Sequence, residues 1–396
     1  MFQRRIMQRP LFLQRWIEVD LDAIEANALE VRRRLPLGCA LMAVLKADAY
    51  GFGAPETAQA LAACADMLAV TTLEEGLELR ISGITAPALV LSAAFAEEMP
   101  FYARHKLMPS IDNEVALRAL NGQPGGPHPF HLALETGMNR LGCLPEEGLA
   151  LAALARELEG VELSGVYSHL ATAAGKNKRA ALRQKEIFSQ FLRRLKERGI
   201  PYGLAHLANS AALLTLPDCS FDMVRVGTLL FGRAPCPLPS GWRLKDPWSC
   251  KAKIIKTHML KKGEAIGYGA EFRAKKDMPT GVVAIGYADG FALEPQTRPQ
   301  SLAHAFRRFV QETARRLLRR PQHYLVYKNR KLPIIGRISM HLTAVDLRGS
   351  GAACGDVVEA ALRCASASSR LCRLFLRGGE VTAMRGVISE TRGQEV

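Results

Sequence analysis

Apolar residues fall in short unbroken runs along the first part of the chain: Cys39–Leu45, Met67–Thr71, Ala88–Ser92, Leu107–Ile111, Phe130–Leu134, Leu163–Ser168, Leu204–Ala208 and Met223–Val226. Each has the length and content of a strand. Between the runs the spacing turns helical, as with Ile187, Phe191 and Leu195 after the sixth, and alternating strands and helices imply parallel βα units. Eight such units predict a closed barrel. A doubly wound sheet would normally carry a glycine-rich dinucleotide fingerprint after its first strand, and Lys46 to Gly53 is not that pattern. One further helix, Leu21–Leu35, is expected ahead of the first run.

Beyond Gly232 the pattern changes. Pro235, Pro237, Pro239 and Gly241 form a break, and strand-like segments follow at Lys253–Leu260, Gly281–Gly286, Tyr324–Tyr327, Lys331–Ser339 and Thr343–Leu347. The expected organisation is a (β/α)8 barrel over 14–236, a mainly β domain over 237–380 that residues 1–13 join, and a flexible tail over 381–396. One helix interrupts the β domain: Leu302, Phe306, Phe309, Val310, Ala314 and Leu317 share a face over Ser301–Arg320, with the arginines mostly opposite.

Composition narrows the function classes. With 396 residues, 48% of them apolar, the chain has material for roughly two cores. It contains no apolar run of the ~20 residues that a membrane span needs, and Met1-Phe2-Gln3-Arg4-Arg5 leads into Pro10, not into an apolar signal segment; a cytoplasmic protein without a membrane partner is expected. Nine scattered cysteines without a CxxC pair argue for reduced thiols and against a metal. The net charge of +15 is spread along helix faces without interleaved aromatics, so it suits anionic small molecules better than a nucleic acid.

The strongest local signal is Ala43-Val44-Leu45-Lys46-Ala47-Asp48-Ala49-Tyr50-Gly51-Phe52-Gly53. A buried strand that ends in a partly desolvated lysine offers an amine able to condense with an aldehyde cofactor, and Tyr50 with its glycines can approach a phosphate. Further on, His206-Leu207-Ala208-Asn209-Ser210 ends one strand and opens a helix, where a hydroxyl and free backbone N–H groups suit a phosphate or a plain cap.

These segments, together with Glu135-Thr136-Gly137-Met138-Asn139-Arg140-Leu141-Gly142, Tyr167-Ser168-His169-Leu170, Val224-Arg225-Val226-Gly227-Thr228, Ala265-Ile266-Gly267-Tyr268-Gly269, Gly286-Tyr287-Ala288-Asp289-Gly290 and Gly336-Arg337-Ile338-Ser339-Met340, resemble the ordered motifs of alanine racemases. The resemblance covers about residues 14 to 376. It implies a TIM-type barrel with a β domain, pyridoxal 5'-phosphate, a homodimer and D-alanine production for peptidoglycan. It further implies that Lys46 carries the cofactor and is one base, and that Tyr268 is the other, acting across the dimer interface. By the same resemblance Arg140 bonds the cofactor phenolate oxygen, His169 stacks on its ring, Arg225 faces its pyridine nitrogen, and Tyr50, Asn209, Ser210 and Gly227 hold its phosphate. Tyr287 and Met340, with Arg140, contact the substrate. A guanidinium at the pyridine nitrogen keeps it unprotonated and favours racemisation over transamination. The alternatives are a racemase of serine or another small amino acid, and a non-catalytic cofactor-binding paralogue.

Four positions depart from the family pattern. Ala133 stands where many members have a lysine that buttresses the arginine, and His341 replaces the aspartate usual after the methionine. No tyrosine follows Tyr327 to help hold the phosphate. The closing segment Arg370–Phe375 has cysteine for proline and phenylalanine for tyrosine, and Arg377–Val396 is expected to be loose.

Overall fold

A computed structural model describes residues 12–293 and 323–386, together with Leu302, Phe306, Arg307, Phe309, Val310 and Thr313. Two compact units result, Leu21–Pro247 and the described residues on either side of it.

The first unit contains eight parallel strands: β2 (Ala40–Val44), β3 (Met67–Val70), β4 (Ala88–Ala93), β5 (Met108–Ile111), β6 (His128–Ala133), β7 (Val161–Tyr167), β8 (Leu204–His206) and β9 (Met223–Val226), while β1 (Arg15–Asp20) precedes them. They pair in the order β8-β7-β6-β5-β4-β3-β2-β9. A parallel bridge between Asn209 and Arg225 brings the two ends of that order together, so the sheet is a nearly closed barrel. Alternate residues explain the unbroken apolar runs. Met42, Val44, Met67, Ala69, Leu89, Ala133, Tyr167 and Met223 form one buried cluster, while the intervening Leu41, Ala43, Leu68 and Val224 are equally buried on the other face. Helices follow the strands, among them Ala54–Leu61, Leu73–Ile81, Pro145–Glu157 and Arg179–Glu197. The additional helix ahead of β2 ends at Arg32, a turn short of Leu35.

The second unit is built on a nine-stranded sheet. Its members after β1 are β10 (Trp248–Leu260), β13 (Met278–Val283), β14 (Tyr324–Tyr327), β15 (Arg330–Pro333), β16 (Thr343–Asp346), β17 (Val357–Ala360), β18 (Arg373–Arg377) and β19 (Glu380–Arg385). The small pair β11 (Ala265–Ile266) and β12 (Phe272–Arg273) stands apart. Strand β1 lies between β10, antiparallel to it, and β18, parallel to it. Two expectations are corrected here. The stretch from residue 14 to Asp20, assigned to the barrel, supplies a strand of the β sheet instead. The segment from Arg377 onward, expected loose, begins with the end of β18 and all of β19, whose backbone pairs from Arg373↔Arg385 to Arg377↔Glu380. Residues 387–396 lie outside the described residues. So does most of the helix expected over Ser301–Arg320; its described members are helical and exposed.

Candidate active site

The C-terminal ends of the barrel strands surround a cavity of about 600 Å³ lined by Lys46, Tyr50, Arg140, His169, Asn209, Ser210, Arg225 and Gly227. Eight of the eleven residues singled out from sequence therefore meet at one place. The other three, Tyr268, Tyr287 and Met340, belong to the β unit.

Lys46 follows β2 by two residues and opens a left-handed turn. Ala47, Asp48, Ala49 and Tyr50 have φ of 52°, 54°, 53° and 59°, a region that each L-residue occupies at a cost of about 1–2 kcal/mol. Neighbouring groups hold the turn there. Ala47 N donates to Glu75 Oε1 at 2.5 Å, Ala54 N to Asp48 Oδ1 at 2.8 Å, and Gly51 N to Ala47 O at 2.9 Å. The turn lifts Lys46 into the cavity, where it is exposed, contrary to the desolvated site expected. Its Nζ lies 5.8 Å from the Tyr50 ring centre. Burial pushes the Tyr50 phenol up to about 12, so it stays a neutral hydrogen-bond donor. A Cβ on Gly227 would meet its hydroxyl at 2.3 Å, which is why a glycine is needed there.

Arg140 sits on a loop anchored by Glu135, whose carboxylate accepts from the amides of Gly137, Met138 (2.7 Å) and Arg140 (3.3 Å). After β8, Asn209, not Ser210, caps the helix Ser210–Thr215, accepting from Ala211 N and Ala212 N at 3.1 and 3.0 Å. Ser210 Oγ instead accepts from Gly227 N at 3.1 Å, tying two of the phosphate candidates together.

Beneath the cavity the barrel interior turns polar. Arg225 is 3% exposed and donates through Nη1 to His206 Nδ1 and His206 O, both at 2.8 Å, and through Nη2 to Ser168 O at 2.6 Å and His169 Nδ1 at 3.4 Å. Burial draws its guanidinium down to about 10, so it remains a cation at neutral pH. Tyr167 stacks on His206 and receives the guanidinium over its ring at 5.2 Å.

Arg225 settles three tautomers, because it has only donors. His206 must accept at Nδ1, carry its proton on Nε2 and donate that to His131 Nδ1 at 2.8 Å. The remaining His131 N–H is buried without an acceptor among the described residues. His169 likewise accepts at Nδ1. Burial and then the Arg225 charge push His131 and His169 down to about 3 and His206 well below the usual imidazole range, so all three are neutral. His131 and His206 had no assigned role from the sequence; their only signal was inward parity with Ala133 and Leu204 on their strands.

In the β unit, Tyr268 opens a short 3-10 turn between Gly267 and Gly269, both at positive φ, and is 71% exposed. Tyr287 and Met340 sit on adjoining loops: Tyr287 N donates to Ser339 O at 3.1 Å and Ala288 N to Met340 O at 2.9 Å. Gly336 brings the same loop against Ile266, where a Cβ would stand 2.8 Å from the carbonyl.

A lysine at the mouth of a (β/α)8 unit, a buried arginine ringed by neutral histidines and a trailing β unit define a pyridoxal-phosphate-dependent amino-acid racemase. The residues fit that cofactor: only a glycine at 227 leaves the cradle open beside Tyr50, and Ser210 fixes the Gly227 amide within it. The comparisons agree. Family models for the N-terminal and C-terminal domains of alanine racemase match residues 19–235 and 248–368. The alanine racemase of Synechocystis is 37% identical over 84% of this chain and 85% of its own, and that of Geobacillus kaustophilus 38% over 82% and 79%. The structure of alanine racemase from Clostridium difficile superposes with a TM-score of 0.84 at 26% identity, covering 96% of this chain and all of that one. The chain belongs to the alanine racemase family.

Proposed function

We propose that this chain interconverts L-alanine and D-alanine by two-base proton transfer, with Lys46 serving one face of the α-carbon and Tyr268 of the partner subunit the other, and that the D-alanine enters peptidoglycan. When bound, pyridoxal phosphate takes up the electron pair left as the α-proton departs. Lys46 holds the cofactor through its amine. Tyr50, Asn209, Ser210 and Gly227 hold the phosphate, Arg140 the phenolate oxygen, and His169 packs against the ring.

Arg225 carries the reading. Its Nη atoms are committed to His206, His169 and backbone carbonyls, and no bond to Nε occurs among the described residues, which leaves that N–H for the pyridine nitrogen. A cation there opposes protonation of the ring, so the proton returns to the α-carbon. His169, accepting from Arg225, retains an Nε2–H able to stabilise the Tyr268 phenolate. Tyr287, Met340 and Arg140 bind the substrate carboxylate. The composite site requires a homodimer. The nine scattered cysteines, without a CxxC pair, favour a reducing, cytoplasmic location, and no helix among the described residues is long and apolar enough to cross a membrane.

A second reading, serine or another small amino acid as substrate, is favoured by one observation, the imidazole of His341 beside Met340. The test is α-proton exchange in deuterated water with L-alanine and L-serine in parallel, followed by chiral analysis. Rapid exchange of alanine with D-alanine formed is expected. Exchange of serine alone would replace the reading.

A further inference from the structure

His341 stands where two loops and a strand meet. Its Nδ1 is 3.3 Å from Arg15 Nη2 on β1 and 3.5 Å from the Asp289 carboxylate on the Tyr287 turn. Arg15 Nε in turn donates to Asp289 Oδ1 at 2.8 Å. Asp289 is buried, 5% exposed at its side chain, and its Oδ2 accepts from Gly286 N at 3.0 Å, closing the turn that carries Tyr287. The turn is wedged against the His341 loop. A Cβ on Gly286 would stand 2.1 Å from Ser339 O and 2.4 Å from Met340 O.

We propose that Arg15, Asp289 and His341 form a positioning network that sets Tyr287 and Met340 for the substrate carboxylate, and that protonation of His341 loosens it. The proposal rests on the assignment of Tyr287 and Met340 to the substrate. One nitrogen serves two neighbours of opposite kind. Unprotonated, Nδ1 accepts from Arg15 and cross-ties β1, the turn and the loop. In the imidazolium it carries a proton, donates to Asp289 and faces the Arg15 cation at 3.3 Å, so the tie to Arg15 is lost. Imidazole is the side chain that changes charge between pH 5 and 8. The other groups packed around it are the Arg15 guanidinium, the Asp289 carboxylate paired with it, and Cys250 on β10, which interacts with both and whose thiol burial pushes up to about 12. The neighbouring cleft lined by Arg15 adds the guanidinium of Arg370.

The experiment measures hydrogen exchange of the Tyr287 and Ala288 amides in the holoenzyme, with KM and kcat for L-alanine, between pH 5.5 and 8. In the wild type, acidification should speed intrinsic-rate-corrected exchange of both amides and raise KM several-fold more than it lowers kcat. His341→Gln, whose amide oxygen accepts from Arg15 but never charges, should keep the neutral-pH values and flatten both profiles. Arg15→Gln should show fast exchange and high KM at every pH. Exchange that does not respond to pH, or identical profiles for wild type and His341→Gln, would overturn the network. Exchange that responds as described while KM does not would instead overturn the assignment of Tyr287 and Met340 to the carboxylate.

Discussion

Arg225 is charged in a place with almost no water, and its neutral neighbours account for that. Two histidines that accept from it and three carbonyls replace the lost solvation. Exchanging the cation for a carboxylate in Arg225→Glu should favour a protonated cofactor ring and raise transamination per racemisation event; pyridoxamine phosphate formed per turnover measures it, and an unchanged ratio in folded, cofactor-loaded protein counts against the pyridine-facing role. Lys46→Ala should abolish covalent cofactor attachment, and borohydride reduction followed by peptide mapping of the wild type should label Lys46 and no other lysine. Acid should unfold the barrel through its histidines. Their folded pKa values lie below the ~6.5 of an unfolded imidazole, so the unfolded state binds protons first and stability falls as pH drops from about 6.5 towards 3, by at most about 1.4 kcal/mol per pH unit for each of them. His131→Gln should therefore show a shallower loss of urea midpoint between pH 7 and 5 than wild type. Lys46, Arg140, His169 and Arg225 were legible because each lies in a local motif. The His131–His206 pair was not, since its members stand 75 residues apart and only the placement of β6 and β8 on either side of β7 brings them together.

Among the elements, those that read most clearly were the ones whose burial is complete. Met223–Val226 is buried at every position and its bounds follow from composition alone. Strand β10 alternates buried and partly exposed residues from Trp248 to Ile254, so only its later part, from Lys253, stood out. Strands β1, β18 and β19 escaped recognition for a different reason. They owe their strand character to pairing across the ends of the chain, and Arg15, Arg373 and Arg377 mask the apolar residues between them. Glycine marks where elements nearly touch. Gly227→Ala would drive a methyl group to 2.3 Å from the Tyr50 hydroxyl at the end of β9, so cofactor affinity should fall at least tenfold while the midpoint of thermal unfolding of the cofactor-free protein changes little. Equal affinity, measured by titrating pyridoxal phosphate into stripped protein, would remove Tyr50 and Gly227 from the phosphate site.

At the scale of the whole molecule, the proposed partition of bases between subunits has a signature that no single chain can imitate. Lys46→Ala and Tyr268→Phe chains, each inactive as a homodimer, place both lesions in one composite site of a mixed dimer and leave the other intact. In a fully scrambled mixture about half of the dimers should then regain one working site. No recovery, with mixed dimers shown by native mass spectrometry, would confine Lys46 and Tyr268 to one chain or remove Tyr268 as a base. The left-handed turn from Ala47 to Tyr50 bears on how such a molecule is made. Four consecutive residues on the unfavoured side of φ are held partly by bonds within the turn and partly by Glu75, which follows β3 and must be in place before it can receive the Ala47 amide. The lysine thus takes up its native geometry only once the β2 and β3 units have met, so cofactor capture in that geometry doubles as a report that these two neighbouring units are in place.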